Sequence, residues 1–544
     1  GEANYRDINQ NRRMDLFFNP GLGYQNVIYF FNFLKIDGYN PLVVKGEKLY
    51  FEKEQAQLLL SEWGIKDQKL SHHMVKGFYL GEFFALLEEE NSKVKNINKL
   101  ILKILDTAKR EPQASHGEGY WIDHWHYNLD LIESFLYFYP DRLKELFLSD
   151  VFSFWDDEHR VKDRKERYVF RGGNVYQGES VEIVKEKKTD IKQRVKTKNF
   201  LRAKDGEVYK TNLICKLLTL ILNKSATLDP DGVGIEMEAG KPGWCDSLNG
   251  LPALFGSSLS ETLELKRTVT ILLSVFEYLI RQGIKEIALP IEVLKFLNKL
   301  NKTLIEFLKS ESLDKDYIYW DKSNSIKEEF RKNTFFCIEG EEEKISLINL
   351  EYFLKNLILK LNQGIKKAKD KKSGLPVTYF TFKSTEYIHN GKDIWPTAFK
   401  RKALPLSLEG VVHALRVEGK KSIHQNLVKS DLFDKALKMY RLNASYKDES
   451  LEIGRSRVFV PGWLENESIW LHMEYKYLLE LLKKGFYEEF FVDFYNCIVC
   501  FFDAKKYGRN VLENSSFIVS SAFPDKSIWG KGFVARLSGA TAEL

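Results

Sequence analysis

Asp123 stands in the segment GEGYWIDHWHYNLD, residues 117–130, between Trp121 and Trp125 and beside His124 and His126. Aromatic walls lower the local dielectric and raise a carboxyl pKa, which is what a general acid working near neutral pH requires. Asp123 and Asp130 also precede an apolar run, where Asp commonly caps a helix, so capping is the competing role for both. His124 and His126 need a third ligand to hold a metal and flank a Trp instead, so no metal centre is expected.

Three further segments concentrate the same residue types. In GIEMEAGKPGWCDSLNGLPALFGSS, residues 234–258, Glu236 and Glu238 alternate along an extended stretch, and a tight Gly-Lys-Pro-Gly turn then presents Trp244, Asp246 and Asn249. A ring to stack on, with acceptors for vicinal hydroxyls, is what a sugar site needs; an ordinary turn entering a helix is the competing reading. In PGWLENESIWLHMEYK, residues 461–476, Glu465, Asn466, Glu467 and His472 come together, with a hydrogen-bonded core histidine as the alternative for His472. Near the end of the chain Ser538, Gly539 and Thr541 offer backbone N–H and hydroxyl donors to an anion, or else form a solvated turn. The CxxC of Cys497 and Cys500 lies in an apolar helical run and reads as core packing. No GxxxxGK[ST] or strand-borne GxGxxG is present, which argues against nucleotide chemistry.

The elements that must position these segments are helical. Apolar residues recur at three-and-four spacing over 53–63, 76–89, 97–107, 129–139, 210–222, 257–280, 291–309, 346–361, 407–415, 432–440, 468–484 and 487–502, among others. Irregular connectors, rich in Gly, Trp and charge, are expected at 110–127, 228–256, 367–404 and 442–467. The charge-dense stretch 155–209, with its β-like pieces RYVFRGGNVYQ and ESVEIV, reads as a hairpin insertion or flap.

The 544 residues are 44% hydrophobic and 29% charged, which excludes disorder and a disulfide scaffold. Lys+Arg 82 against Asp+Glu 76 leaves +6 over the whole chain, too weak and too mixed to point to nucleic acid. Five scattered cysteines, an odd count, fit a reducing compartment, so a cytoplasmic location is expected. No apolar stretch reaches the ~18 residues of a membrane span. Aromatics reach 14%, with Trp 10, Tyr 26 and Phe 38. The chain opens on Gly1 and stops at SGATAEL, so it is expected to be part of a longer protein.

Taken in chain order, the segments resemble a known set. ANYRDINQ at residues 3–10 is similar to the GYRD-xx-Q segment of the cellobiose and chitobiose phosphorylases, and GYWIDHWHYNLD resembles their acid-bearing SDDLLWL. GWCDSLNG is similar to their GDWNDGMN, WLENESIWLH resembles ENGGxYTHA, and RLSGATAEL resembles the closing TGTAxW turn. The longer forms, such as NYRDINQNRRMDLFFNP and KPGWCDSLNGLPALFGSS, look closest to the large bacterial β-1,3-oligoglucan phosphorylases related to that family. Ile122 stands where the family has the first Asp of its paired acid motif, Cys245 where it has Asn, and Ala540 separates Gly539 from Thr541.

The resemblance implies a mainly α fold, an (α/α)6 barrel catalytic domain over 1–544 with the short β-hairpin insertion, lacking the family's N-terminal β-sandwich and C-terminal cap. It implies inverting phosphorolysis, in which inorganic phosphate attacks the anomeric carbon while one carboxylic acid protonates the leaving oxygen. Asp123 falls on that acid. Arg6 and Asp7 fall on the Arg-Asp that holds terminal sugar or phosphate, and Trp244, Asp246 and Asn249 fall on the sugar-binding turn, with Trp121, Glu238 and Glu467 as further substrate contacts. His472, Ser538, Gly539 and Thr541 fall on the phosphate side. The partners expected are a β-glucan oligosaccharide and inorganic phosphate as substrates, with no cofactor or metal, no nucleic acid and no membrane; a homodimer is allowed. The alternatives are an inverting hydrolase, with Glu467 or Glu238 as base, and a non-catalytic carbohydrate-binding domain.

Overall fold

The computed structural model describes residues 2–65, 67–89, 96–194, 197–391 and 393–534. Ser538, Gly539 and Thr541 lie outside them. The chain divides into two compact units, one of residues 1–5 and 41–117 and the other of residues 6–40 and 118–544. Both are mainly α, with small antiparallel sheets. No helix among the described residues is long and apolar enough to cross a membrane.

In the smaller unit, strands Val43–Tyr50 and Lys109–Ser115 pair antiparallel and Ala3–Asn4 adds to the edge. Helices Lys53–Glu62, Gln68–Lys76, Leu80–Glu89 and Ile97–Thr107 cover this sheet. Their apolar stripes meet in a core that includes Leu59, Leu70, Phe78, Phe83, Leu100 and Ile104. Asp67 caps the second helix through the N–H groups of Lys69 and Leu70, and Asn96 caps the last through Lys99.

In the larger unit the helix Leu213–Ser225 is buried on every side. It packs against Leu259–Arg281, which also meets Leu347–Lys367 and Leu408–Glu418; the last packs in turn on Leu471–Lys483. These helices follow the apolar periodicity of the sequence within a few residues at each end, where caps and last turns decide the boundary. The stretch 155–209 contains the hairpin Tyr168–Arg171 with Asn174–Gln177, and it also places Arg167 beneath the protein surface.

Several features differ from the sequence reading, three of them near the site or on long elements. The 20-residue helix Lys315–Thr334 was not expected, because its buried face carries Ser323, Asn324 and Lys327 beside Trp320 and Phe330 and so shows little apolar period. Residues 432–440 form two short paired strands, Phe433–Asp434 and Met439–Tyr440, rather than a helix. The Asp434 carboxylate accepts the N–H groups of Ala436 and Leu437, and Lys438 turns the chain at φ 58°, so local turn chemistry overrides the apolar spacing. The connector 367–404 holds a long hairpin, Tyr379–His389 with Ile394–Ala403, which continues through Ser257–Ser258 and Ile235–Glu236 into a four-stranded sheet. Its alternation is visible in Phe380, Phe382 and Ser384, with Thr381 and Lys383 between them, but it stops at Ser384, beyond which the strand is exposed.

Candidate active site

Asp123 lies immediately before a 3-10 turn, His124–His126, that runs into the helix Tyr127–Phe138. Its carboxylate makes no capping bond to the turn. It is fully buried, and Oδ2 accepts hydrogen bonds from Arg6 Nη1 at 3.1 Å and from the Tyr127 hydroxyl at 3.2 Å. Asp130 is not a cap either: it sits inside the helix and pairs with Arg267 at 2.7 Å.

Arg6 projects from the helix Tyr5–Asn11. Its fork divides between two carboxylates, Nη1 reaching Asp123 and the Trp244 carbonyl at 3.4 Å, and Nη2 reaching Asp246 at 3.1 Å. The Trp121 indole donates to the other oxygen of Asp246 at 2.9 Å. Side-chain exposure is 40% at Asp246, 11% at Arg6 and 0% at Asp123, so the three form a charged path from solvent inward. The Trp244 ring packs on Trp470 at 4.3 Å and against His472 at 5.8 Å. His472 Nε2 lies 2.9 Å from Gln10 Oε1, and the Gln10 amide donates to the Arg6 carbonyl at 3.3 Å. Trp121 is half-buried, stacked on His124, with the Lys241 ammonium 4.9 Å from its ring centroid.

The electrostatics differ from the sequence expectation. Burial is the largest single influence and raises the Asp123 carboxyl, as aromatic walls should, but the charge and hydrogen bond of Arg6 together with His124 and His126 outweigh it and hold Asp123 down at about 2. Burial lowers His124 to about 4 and His126 to about 3, so both rings are neutral at pH 7. Burial alone would lower Arg6, yet Asp246 and Asp123 keep it firmly charged. Asp123 is therefore an ionised partner of Arg6 and not a neutral acid.

The structure brings Arg6, Trp121, Asp123, Trp244, Asp246 and His472 together through these contacts. Asp7 occupies the same helix as Arg6. Glu238 is caged by Arg331 at 2.6 Å, Lys327 at 2.8 Å and Arg167 at 3.2 Å, with the Tyr39 hydroxyl at 3.0 Å. Burial would raise it, but these cations hold it far below the usual carboxylate range. Glu467, buried at φ 56°, faces Arg441 at 3.4 Å in a cleft of about 830 Å³ that also contains Ser445 and Ser521. Asn249 is exposed, and its Oδ1 accepts the Arg455 N–H at 3.2 Å. Beside it, a Cβ at Gly250 would stand 1.9 Å from the Glu452 carbonyl oxygen, so this end of the turn is closed by backbone.

Two carboxyl groups escaped the sequence reading. Glu261 lies in the first turn of Leu259–Arg281 and Glu409 in the first turn of Leu408–Glu418, both buried. Burial raises Glu261 well above the usual range, helped by the charges of Asp123 and Glu409; burial likewise lifts Glu409 to about 7, against a hydrogen bond from the Tyr379 hydroxyl. First-turn Glu is ordinary dipole chemistry, so nothing singled these out. The available signal was that Glu261 and Glu264 share one face of a helix, three apart, on the face that must be buried.

No cluster of three or more His, Cys, Asp or Glu among the described residues is arranged to hold a metal ion. No protein-family model matches the chain, and no curated protein matches it.

Proposed function

We propose that the protein is an inverting glycoside phosphorylase that cleaves β-glucan oligosaccharides with inorganic phosphate, built on an (α/α)6 framework. The observation that carries this reading is the Arg6–Asp123 pair: one buried carboxylate whose charge is held by a cation that an incoming anion can claim. Phosphate drawing on Arg6 removes the group that keeps Asp123 ionised, so anion binding and arming of the acid are coupled. Asp123 then protonates the departing glycosidic oxygen while phosphate attacks the anomeric carbon from the opposite face. Trp121 and Arg6 fix Asp246, the half-exposed carboxylate that faces sugar hydroxyls in this reading.

The barrel reading is supported by Leu213–Ser225, buried all round as an inner-ring helix must be, and by Glu261, Glu409 and His472 each standing in the first turn of a helix with a buried N-terminal half. The hydrolase alternative needs a carboxylate base to activate water. Glu238 is committed to three cations and Glu467 to Arg441, which weakens that alternative.

The test is an assay for glucose 1-phosphate release from β-1,3-, β-1,4- and β-1,2-linked oligosaccharides, with and without phosphate. Cleavage that persists unchanged without phosphate identifies a hydrolase, and binding without turnover identifies a carbohydrate-binding domain.

A further inference from the structure

The two oxygens of Asp123 are held unequally. Arg6 Nη1 and the Tyr127 hydroxyl both donate to Oδ2, at 3.1 and 3.2 Å, whereas Oδ1 is buried without a hydrogen-bond partner among the described residues. His124 Nε2 stands 4.0 Å from Oδ1, beyond hydrogen-bond reach. The two donors on Oδ2 differ in kind. Arg6 shares its fork with half-exposed Asp246, so an anion from solvent has a path to it. Tyr127 is buried in the first turn of Tyr127–Phe138, and the 3-10 turn His124–His126 brings its hydroxyl back to the carboxylate four residues earlier. Its ring packs against His126 at 4.3 Å, with the Lys476 ammonium 4.9 Å from the ring centroid. Burial raises the phenol well above its ordinary value and the charge of Asp123 raises it further, so Tyr127 keeps its proton and stays a donor.

We propose that Tyr127 is a positioning residue for Asp123: its hydroxyl keeps Oδ2 when phosphate draws Arg6 away, and so makes Oδ1 the oxygen that takes up the proton and delivers it to the glycosidic oxygen. This rests on the phosphorylase reading. In a neutral carboxyl group one oxygen carries the proton and the other accepts, so a donor fixed on Oδ2 places the proton on Oδ1. Without that donor the carboxyl turns in a broad torsional well and either oxygen takes the proton. Asp123 takes its proton from water as Arg6 leaves, and the Oδ1–H bond breaks as the departing oxygen gains its hydrogen and the glycosidic C–O bond breaks. Hydrogen phosphate adds an oxygen to the anomeric carbon, and the resulting sugar hydrogen phosphate returns one proton to water, which closes the count. Tyr127 gives up no proton and touches no reacting atom.

Tyr127→Phe keeps the ring and its packing and removes only the hydroxyl. The expected result is a kcat lower by about 10- to 100-fold in both directions, the worth of one hydrogen bond to a charged group, with the KM values for glucan and phosphate within about twofold. A donor on the carboxylate favours its ionised form, so removing it should move the alkaline limb of the phosphorolysis profile up by about one pH unit. A residue that only packs lowers the melting temperature and leaves that limb in place. Because Tyr127 acts through Asp123, adding Tyr127→Phe to Asp123→Asn should lower kcat by less than about twofold more. Meta-fluorotyrosine placed at position 127 by amber suppression keeps the ring and hydroxyl, folds where Phe does not, and is a stronger donor, so it should move the alkaline limb the opposite way, to lower pH. A Tyr127→Phe kcat within twofold of wild type, an alkaline limb that neither variant moves, or full additivity with Asp123→Asn overturns the proposal. Wild-type cleavage that persists without phosphate fails the phosphorylase reading alone, since a hydrolase acid needs the same bond and the same kcat and pH criteria then judge Tyr127. Absence of any glucan turnover by wild type fails both.

Discussion

Arg6 is the residue on which the site turns, because one guanidinium satisfies a buried and a half-exposed carboxylate at once. Such a pair is held only while nothing better competes for the cation, and a dianion with three acceptor oxygens is a better competitor. On the proposed phosphorylase reading, phosphorolysis and its reversal share one transition state, so Asp123→Asn should lower both directions by about 10²–10⁴-fold, measured with glucan plus phosphate and with glucose 1-phosphate as donor. Near-wild-type turnover in either direction would remove Asp123 from the mechanism. His472 acts further back, holding Gln10, which in turn holds the Arg6 carbonyl. His472→Ala should therefore raise the KM for phosphate more than that for glucan, and Gln10→Ala should reproduce the effect in part; equal changes in both constants would return His472 to a packing role.

At the scale of elements, the segment 235–250 is fixed at both ends by different physics. Glu238 ties it to the helix Lys315–Thr334 through Lys327 and Arg331, and to the stretch 155–209 through Arg167. All four groups are largely buried, so Glu238→Ala strands three cations and should cost about 3–5 kcal/mol in a denaturant titration. Burial already lowers Lys327 to about 7 even with Glu238 beside it, which makes it the cation expected to lose its proton in that variant. Asn249, at the other end, braces the backbone at Arg455. Asn249→Ala should lower stability by about 1 kcal/mol and leave the glucan KM within about twofold. A rise in KM well beyond that, without loss of stability, would restore the sugar contact that the resemblance implies.

The whole molecule carries buried carboxyls shifted in both directions, and each contributes to its response to pH. Asp157, held by Lys35 and His159 against burial, and Glu264, held by its arginines against burial, lie below their ordinary values, so their stabilisation is present near neutrality and fades as pH falls. Burial raises Glu409 to about 7 and Glu474 to about 8, the latter against hydrogen bonds from the Cys497 thiol and the Tyr440 N–H. For these two the unfolded chain binds fewer protons than the folded one above pH 4.5, so stability falls as pH rises toward 7–8 and then levels off. Each group contributes a slope of about 1.4 kcal/mol per pH unit at most. Melting curves from pH 5 to 9 should show that Glu474→Gln, which keeps the Tyr440 contact, loses less stability with rising pH than wild type does; a difference independent of pH would mean that Glu474 is ionised in the fold.

Helices such as Ile97–Thr107 and Ile291–Lys309 were legible to the residue, because apolar spacing along 3.6 residues per turn is a local property of the sequence. The segments that carry Asp123, Trp244 and His472 were legible too, since Trp, Asp and Gly crowd into connectors just before apolar runs. Lys315–Thr334 was not, because Ser323, Asn324 and Lys327 interrupt its buried face between Trp320 and Phe330 and leave no clear apolar period to find. Charge state was the least legible property. The sequence places Asp123 among aromatic rings and suggests a neutral acid, whereas Arg6, 117 residues away, pairs with it and makes it an anion. A side chain's periodicity is set by its neighbours in the chain, but its ionisation is set by the summed burial and charge of whatever the fold brings beside it, and only the tertiary structure decides that.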